Sequence, residues 1–215
     1  MKRSIFVVFV LLSFFAFAIT GCKKKKKEDE EIKFYSVGEL YDVGGEKAVI
    51  YKVVTITGGM YALGVSLDET ELAWSTEHIK TDAIDLENGA KNQQKIQSLP
   101  GWAEKYPAFK WCADKNKNGS GGWYFPSPVE MNELLRARIE DKANKTTLSL
   151  HEYLIKMGGV GFSYAEENGY SPYWTSTETS FNTNAASPSY NSSGGVSYDK
   201  KLTKKVRAIK YIRIY

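Results

Sequence analysis

The chain has 215 residues, of which 29 are Lys or Arg and 25 Asp or Glu, so the formal net charge is only +4. Two basic residues fall within the first 21 positions and five more in the run that follows, and the remainder is near neutral. This argues against a nucleic-acid partner, which needs basic residues clustered on one face, and two cysteines exclude a disulfide scaffold.

The chain opens with "MKRSIFVVFVLLSFFAFAITGC": Lys2 and Arg3, about fifteen apolar residues, then small residues before Cys22. That apolar run is shorter than the roughly 20 residues of a membrane-spanning helix and reads as an export signal over 1–21. The group Ile19-Thr20-Gly21-Cys22 resembles the bacterial lipobox. The resemblance implies that Cys22 is the first mature residue, lipidated on its sulfur and acylated on its amino group. Several acyl chains anchor stably, because each buried CH₂ contributes about 0.8 kcal/mol. The expected location is the bacterial cell envelope, at the outer membrane or cell surface, with the membrane as first partner. "KKKKKEDEE" follows, so residues 22–31 read as a charged, solvated tether.

Residues 32–215 are expected to form one domain, with no second linker and no repeat. "KAVIYKVVTIT", Gly58-Gly59 and "MYALGVSL" read as a hairpin. "ENGAKNQQKIQSL" reads as a short helix stopped by Pro100-Gly101. In "WAEKYPAFKWCADK", Trp102, Phe109 and Trp111 are expected in the core, and Cys112 is expected to be a buried, inert thiol. Ser127, Pro128 and Glu130 spell a helix start, and Met131, Leu134, Leu135 and Ile139 form an apolar stripe at helical spacing. Ser149 and Glu152 repeat the capping pattern, ended by Gly158-Gly159. A last strand is expected over Val206–Tyr215, paired inside a sheet. Helices and strands without strict alternation give an α+β fold.

Several of these segments resemble a known family. "GGWYFPSPVEMNEL" is similar to the "W-x-L-P-[ST]-x-x-E-[LM]" segment of the DUF1566 group, also called the Lcl C-terminal or Fibrobacter-type major paralogous domain. "YWTSTE" is similar to its "YWSSTE" and "KVRAIKYI" to its closing "VRxVR" strand; "LAWSTEHIKTDAIDLENGAKNQQKI" and "YPAFKWCADKN" look like segments upstream. The matches run from about Tyr51 to the C-terminus. The resemblance implies a C-type-lectin-like fold of the formylglycine-generating-enzyme subclass, on secreted or surface-anchored bacterial proteins, and no single ligand.

Formylglycine-generating enzymes use a pair of cysteines for copper-dependent oxidation, and here only Cys112 is available. A serine hydrolase needs a histidine with an orienting acid; the chain offers His78, without a visible partner, and His151, in the first turn of an expected helix. "DKNKNGSGG" presents Asp114, Asn116, Asn118 and Gly119 like the start of a calcium loop. The twelfth position, where a bidentate Glu belongs, is Phe125, and a metal-free turn is the simpler reading. The "EPN" and "QPD" triplets of calcium-dependent lectins are absent. No catalysis, cofactor or metal is expected.

Between Thr175 and Gly195, thirteen of twenty-one residues are Ser, Thr or Asn and the only charge is Glu178, which suits a loop held at both ends by sheet better than a disordered segment. Such residues offer adaptable hydrogen bonds at low entropic cost. The candidate contacts for a protein or glycan ligand are Asn182, Asn184, Tyr190, Asn191, Ser192 and Tyr198, with Trp174, Trp123 and Val206 as scaffold. The composition also resembles the variable regions of diversity-generating retroelement proteins, which share this fold. Three readings therefore stand together: an adhesin- or receptor-like binding lipoprotein, a retroelement variable protein, and a structural or fimbrial-type envelope subunit. A formylglycine-generating-like enzyme is the least favoured.

Overall fold

The computed structural model describes residues 34–118, 121–163, 172–181, 183–189 and 192–214, so Cys22 and the tether lie outside it. Its centre is built by the Val- and Ile-rich run Glu46–Ile56 (β2), which pairs antiparallel with Leu40–Val43 (β1) on one side and Gly59–Ser66 (β3) on the other. The expected hairpin is present, turning at Gly58 in the left-handed region that a side chain would resist. Between Ile50 and Lys52 the register shifts, leaving Tyr51 as the extra residue of a β-bulge.

After β3 come a short strand, Thr70–Ala73 (β4), and three helices: Gly89–Gln97 (α1), Trp102–Lys105 (α2) and Pro107–Asp114 (α3). The first was expected, capped by Asn88; the other two were not assigned in advance. Pro107 opens α3 at a position where its missing N–H costs nothing. Phe109 is fully buried, whereas Trp102 and Trp111 are only partly so. Cys112 is buried, and desolvation pushes its thiol well above the ordinary range, so it is inert.

Trp123–Tyr124 (β5) leads into Pro128–Arg136 (α4), whose Ser127 and Glu130 form a reciprocal capping box. The apolar stripe read on this helix needs one correction. The helix stops at Arg136, Ala137 is extended, and Ile139 is buried on the strand Arg138–Asp141 (β6). Pairing of β6 with Thr146–Ser149 (β7), together with the Leu150 N–H bond to the Ala137 carbonyl, draws the chain out of the helix. Spacing alone cannot separate the two placements, because both put Ile139 into the same core. Ser149 and Glu152 then cap Leu150–Lys156 (α5) as expected.

The last third of the chain forms Asn184–Ser189 (β8), Ser192–Asp199 (β9), Thr203–Val206 (β10) and Ile209–Arg213 (β11). The polar tract expected as a loop is thus largely a β8–β9 hairpin. The single terminal strand expected over Val206–Tyr215 is also two strands in two sheets. Val206 ends β10, paired with β4, while β11 lies between β3 and β5. The break falls at Arg207-Ala208, where the buried arginine turns to its own partners.

The main sheet, in the order β1-β2-β3-β11-β5, is covered on both faces. Ala48, Ile50, Ala62 and Ile212 face a core with Trp74, Ile96, Phe109 and Trp174; Val49, Leu63, Val65 and Ile209 face one with Met131, Leu134, Ile139 and Leu154. This two-sided burial is why β2 reads as a continuous apolar run at its centre rather than an alternating one. Helices on an antiparallel sheet make the domain α+β.

Candidate binding face

The segment "YWTSTE" (Tyr173–Glu178) is buried residue by residue. It runs between β10 and β8: the Trp174 N–H bonds to the Lys205 carbonyl at 2.9 Å, and the Thr175 N–H to the Ala186 carbonyl at 3.0 Å. Its hydroxyls are consumed internally. Thr175 Oγ1 donates to the Ala186 carbonyl (2.8 Å) and Thr177 Oγ1 to the Asp85 carbonyl (2.7 Å), while the Asn92 amide donates to Ser176 Oγ (3.0 Å). Buried polar groups satisfied in this way fix one arrangement of the elements that carry them.

Glu178 ends the segment at 3% exposure and accepts from the N–H groups of Thr81 (2.9 Å) and Asp82 (2.8 Å) and from the Lys200 ammonium. Asp82 sits at φ 58, a left-handed turn that the carboxylate pins. Lys200, itself fully buried, also donates to the Ile79 carbonyl (2.9 Å) and lies 4.7 Å over the Trp74 ring. One ion pair therefore joins the 79–83 loop, the "YWTSTE" segment and the end of β9.

A second buried cluster closes the far end of β10. Glu69 accepts from Arg207 (2.5 Å), Tyr173 (2.6 Å) and Lys205 (2.7 Å), and Arg207 also donates to the carbonyls of Ser66 and Val160, both at 3.0 Å. Burial alone would raise the Glu69 pKa, but the bonds from Lys205 and Tyr173 and the Arg207 charge outweigh it and hold the carboxyl below its ordinary range. Glu130, beyond its capping role, accepts from the Gly89 N–H (3.0 Å) at the start of α1, so Glu130, Glu178 and Arg207 all act as internal cross-links.

On this frame the β8–β9 hairpin presents its other side to solvent. Asn184 Nδ2 donates to Ser197 Oγ (3.0 Å), which lies 3.1 Å from Thr179 Oγ1, and Thr183 Oγ1 donates to Asn184 Oδ1 (2.7 Å). In this uncharged ladder Thr183 and Ser197 are exposed and Thr179 and Asn184 half-buried, and Phe181 beside it is 66% exposed. Of the expected contacts, Asn184 belongs to this face. Tyr198 does not: it packs edge-on against Trp174 at 6.4 Å, under the Lys204 ammonium at 3.7 Å, and helps hold the hairpin down. Ser192 lies in β9, paired with Ser189, whereas Asn182, Tyr190 and Asn191 fall outside the described residues. Trp174, Trp123 and Val206 are buried scaffold as expected. Thr179, Phe181, Thr183 and Ser197 were missed. Strand alternation would have found Ser197, since Tyr198 and its neighbour must point to opposite faces.

His78 does have an acidic partner: its Nε2 lies 2.8 Å from Asp199 Oδ1. The histidine and the Lys201 N–H hold the Asp199 carboxyl below its ordinary range. No hydroxyl or thiol is hydrogen-bonded to His78 among the described residues. His151 Nδ1 meets the Phe162 carbonyl at 2.9 Å. In the calcium-like stretch, Asp114 is ion-paired to Lys110 (2.5 Å) and Lys117 (3.3 Å). The Asn116 side chain both accepts from the Trp123 N–H (2.8 Å) and donates to its carbonyl (3.0 Å). Those oxygens serve the turn, and Gly119 lies outside the described residues.

Comparison with known proteins finds no matching family, no matching curated protein and no matching solved structure.

Proposed function

We propose that the chain is an envelope lipoprotein, anchored through Cys22, whose domain binds a protein or glycan ligand through the outer face of the β8–β9 hairpin. The observation that carries this reading is the solvent-facing, partly exposed, uncharged ladder of Thr179, Ser197, Asn184 and Thr183 beside Phe181, set on a frame locked by the Glu178–Lys200 pair. A rigid base with adaptable amide and hydroxyl groups above it suits recognition: the frame lowers the ordering cost of binding, and the groups can match varied partners.

The domain is read as C-type-lectin-like and of the DUF1566 kind. In support, the segments carrying that resemblance are those whose Glu130, Glu178 and Arg207 cross-link separate elements here, as a scaffold signature would. A panel of glycans and extracellular-matrix proteins, probed with the full chain in detergent micelles, tests the proposal. Replacing Thr179, Asn184 and Ser197 together by alanine should weaken binding at least about tenfold, the loss expected from about 1.4 kcal/mol. A binder that the triple variant leaves unchanged would remove the hairpin face from consideration.

A further inference from the structure

The β1–β2 turn, the end of α3 and the loop after α5 enclose a cleft of about 550 Å³ that shares no residue with the hairpin face. Sites for small molecules commonly span roughly 300–1,000 Å³. Three carboxylates, Glu46, Asp68 and Asp114, and three ammonium groups on Lys47, Lys115 and Lys117 line it, together with Trp123. The charges are already matched. Lys115 Nζ sits 2.7 Å from both Asp68 oxygens, Asp114 lies 3.3 Å from Lys117 and 2.5 Å from Lys110, Lys47 is 3.4 Å from Asp42, and Glu46 is 2.7 Å from Lys210.

That matching selects against a charged ligand. An anion or cation entering here would have to break one ion pair to form another, with little net gain. A hydroxyl need break nothing. The Asp68 and Asp114 side chains are 62% and 37% exposed, and an ionised carboxylate offers about four acceptor sites, so both keep room for O–H donors.

The fixed parts of the cleft suit such a ligand. Lys115 is held 4.0 Å over the Trp111 ring, and the Trp123 indole is pinned by its N–H bond to Glu46 (2.7 Å). Groups immobilised by their own partners have little further entropy to lose on binding. Two wall positions, Gly45 (φ +83) and Gly158 (φ +78), carry no side chain, and nothing lies within 4 Å of where a Cβ would stand. Glycine at such positions lets a ligand approach the backbone.

We propose that this cleft is a binding site for a neutral, hydroxyl-rich ligand, a small saccharide, gripped by the solvent-facing lone pairs that the lysines leave unused on Asp68 and Asp114, beside Trp123. The inference stands independently of the hairpin reading.

The test is NMR of the full chain in detergent micelles, following the indole N–H of Trp123, with glucose, N-acetylglucosamine, cellobiose and chitobiose as probes. At least one sugar should shift this resonance with a Kd of about 1 mM, as a shallow polar site allows. Inorganic phosphate and free glycine should leave it in place. Asp68→Asn with Asp114→Asn should weaken the sugar at least about fivefold. Asp68 is exposed and Asp114 half-buried, and Asn keeps the shape of each side chain, so the variant should keep its fold, which the dispersion of the other indole signals verifies. Asn184→Ala, on the hairpin, should change nothing at Trp123. The proposal is overturned if no sugar moves the resonance at about 50 mM, if phosphate or glycine moves it instead, or if the folded Asp68 and Asp114 variant binds like the parent.

Discussion

Replacing Glu178 by Gln keeps the shape of the side chain and removes one charge, at the point where the 79–83 loop, the "YWTSTE" segment and the end of β9 meet. The glutamine oxygen can still accept from the Thr81 or Asp82 N–H, but the Lys200 ammonium, at 0% exposure, loses its counter-charge. Breaking a buried pair from one side costs about 3–5 kcal/mol, and the retained backbone bond places the expectation at about 3 kcal/mol. Against a typical domain stability of about 5–15 kcal/mol this is a large fraction. In a domain of this size it corresponds to about 6–12 °C in Tm. Urea unfolding of residues 32–215, which form one unit by their contacts, followed by tryptophan fluorescence, measures it. Adding Lys200→Met should recover about 2 kcal/mol of the loss, because the stranded charge is then gone. A Glu178→Gln protein within about 0.5 kcal/mol of the parent, or a double variant whose costs simply add, would show that the pair does not lock the frame.

Gly89→Ala should destabilise by about 1–3 kcal/mol in the same assay, because its Cβ would stand 2.2 Å from the Phe125 carbonyl oxygen where α1 meets the start of α4. The Glu69 carboxyl is depressed in the folded state, so its contribution is present above the ordinary glutamate pKa and lost as the pH falls toward the folded-state value. Glu69→Gln should therefore be less stable than the parent at neutral pH and show a flatter acid limb in urea midpoints. Cys112 should resist a thiol reagent in the folded state and react only as fast as the domain opens, which a colorimetric assay with and without urea resolves.

Local signals in the sequence survived where the residues that make an element also decide it. Ser127 with Glu130 and Ser149 with Glu152 are three apart, the reach of a capping box, and both helices begin where that spacing says. The same holds for the β2–β3 hairpin around Gly58-Gly59. Ile139 and Arg207 show the limit. Each is apolar or cationic in a pattern that reads smoothly into its neighbour, yet the chain changes element beside each, because partners remote in sequence claim it: β7 for Ile139, and Glu69 with the Val160 carbonyl for Arg207. The candidate face was half legible. Polar composition pointed to the tract and to Asn184, but Tyr198 was chosen as if the tract were a loop, and a strand reverses that assignment at every other residue.

Local sequence was enough for the α+β content, the two capped helices, the central hairpin, the buried thiol and the expectation of an export signal over 1–21. Each rests on residues within a turn or two of one another, where capping, periodicity and glycine conformation act. Long-range packing, by contrast, makes the Ser- and Thr-rich "YWTSTE" core rather than surface, buries the cations Lys200 and Arg207, and brings Asp68, Asp114 and Trp123 to one cleft. Those outcomes depend on pairings of groups as far apart as Glu69 and Arg207 or Glu46 and Lys210. A charge or hydroxyl can be buried only when its partner arrives from elsewhere in the chain, and no local pattern records that arrival.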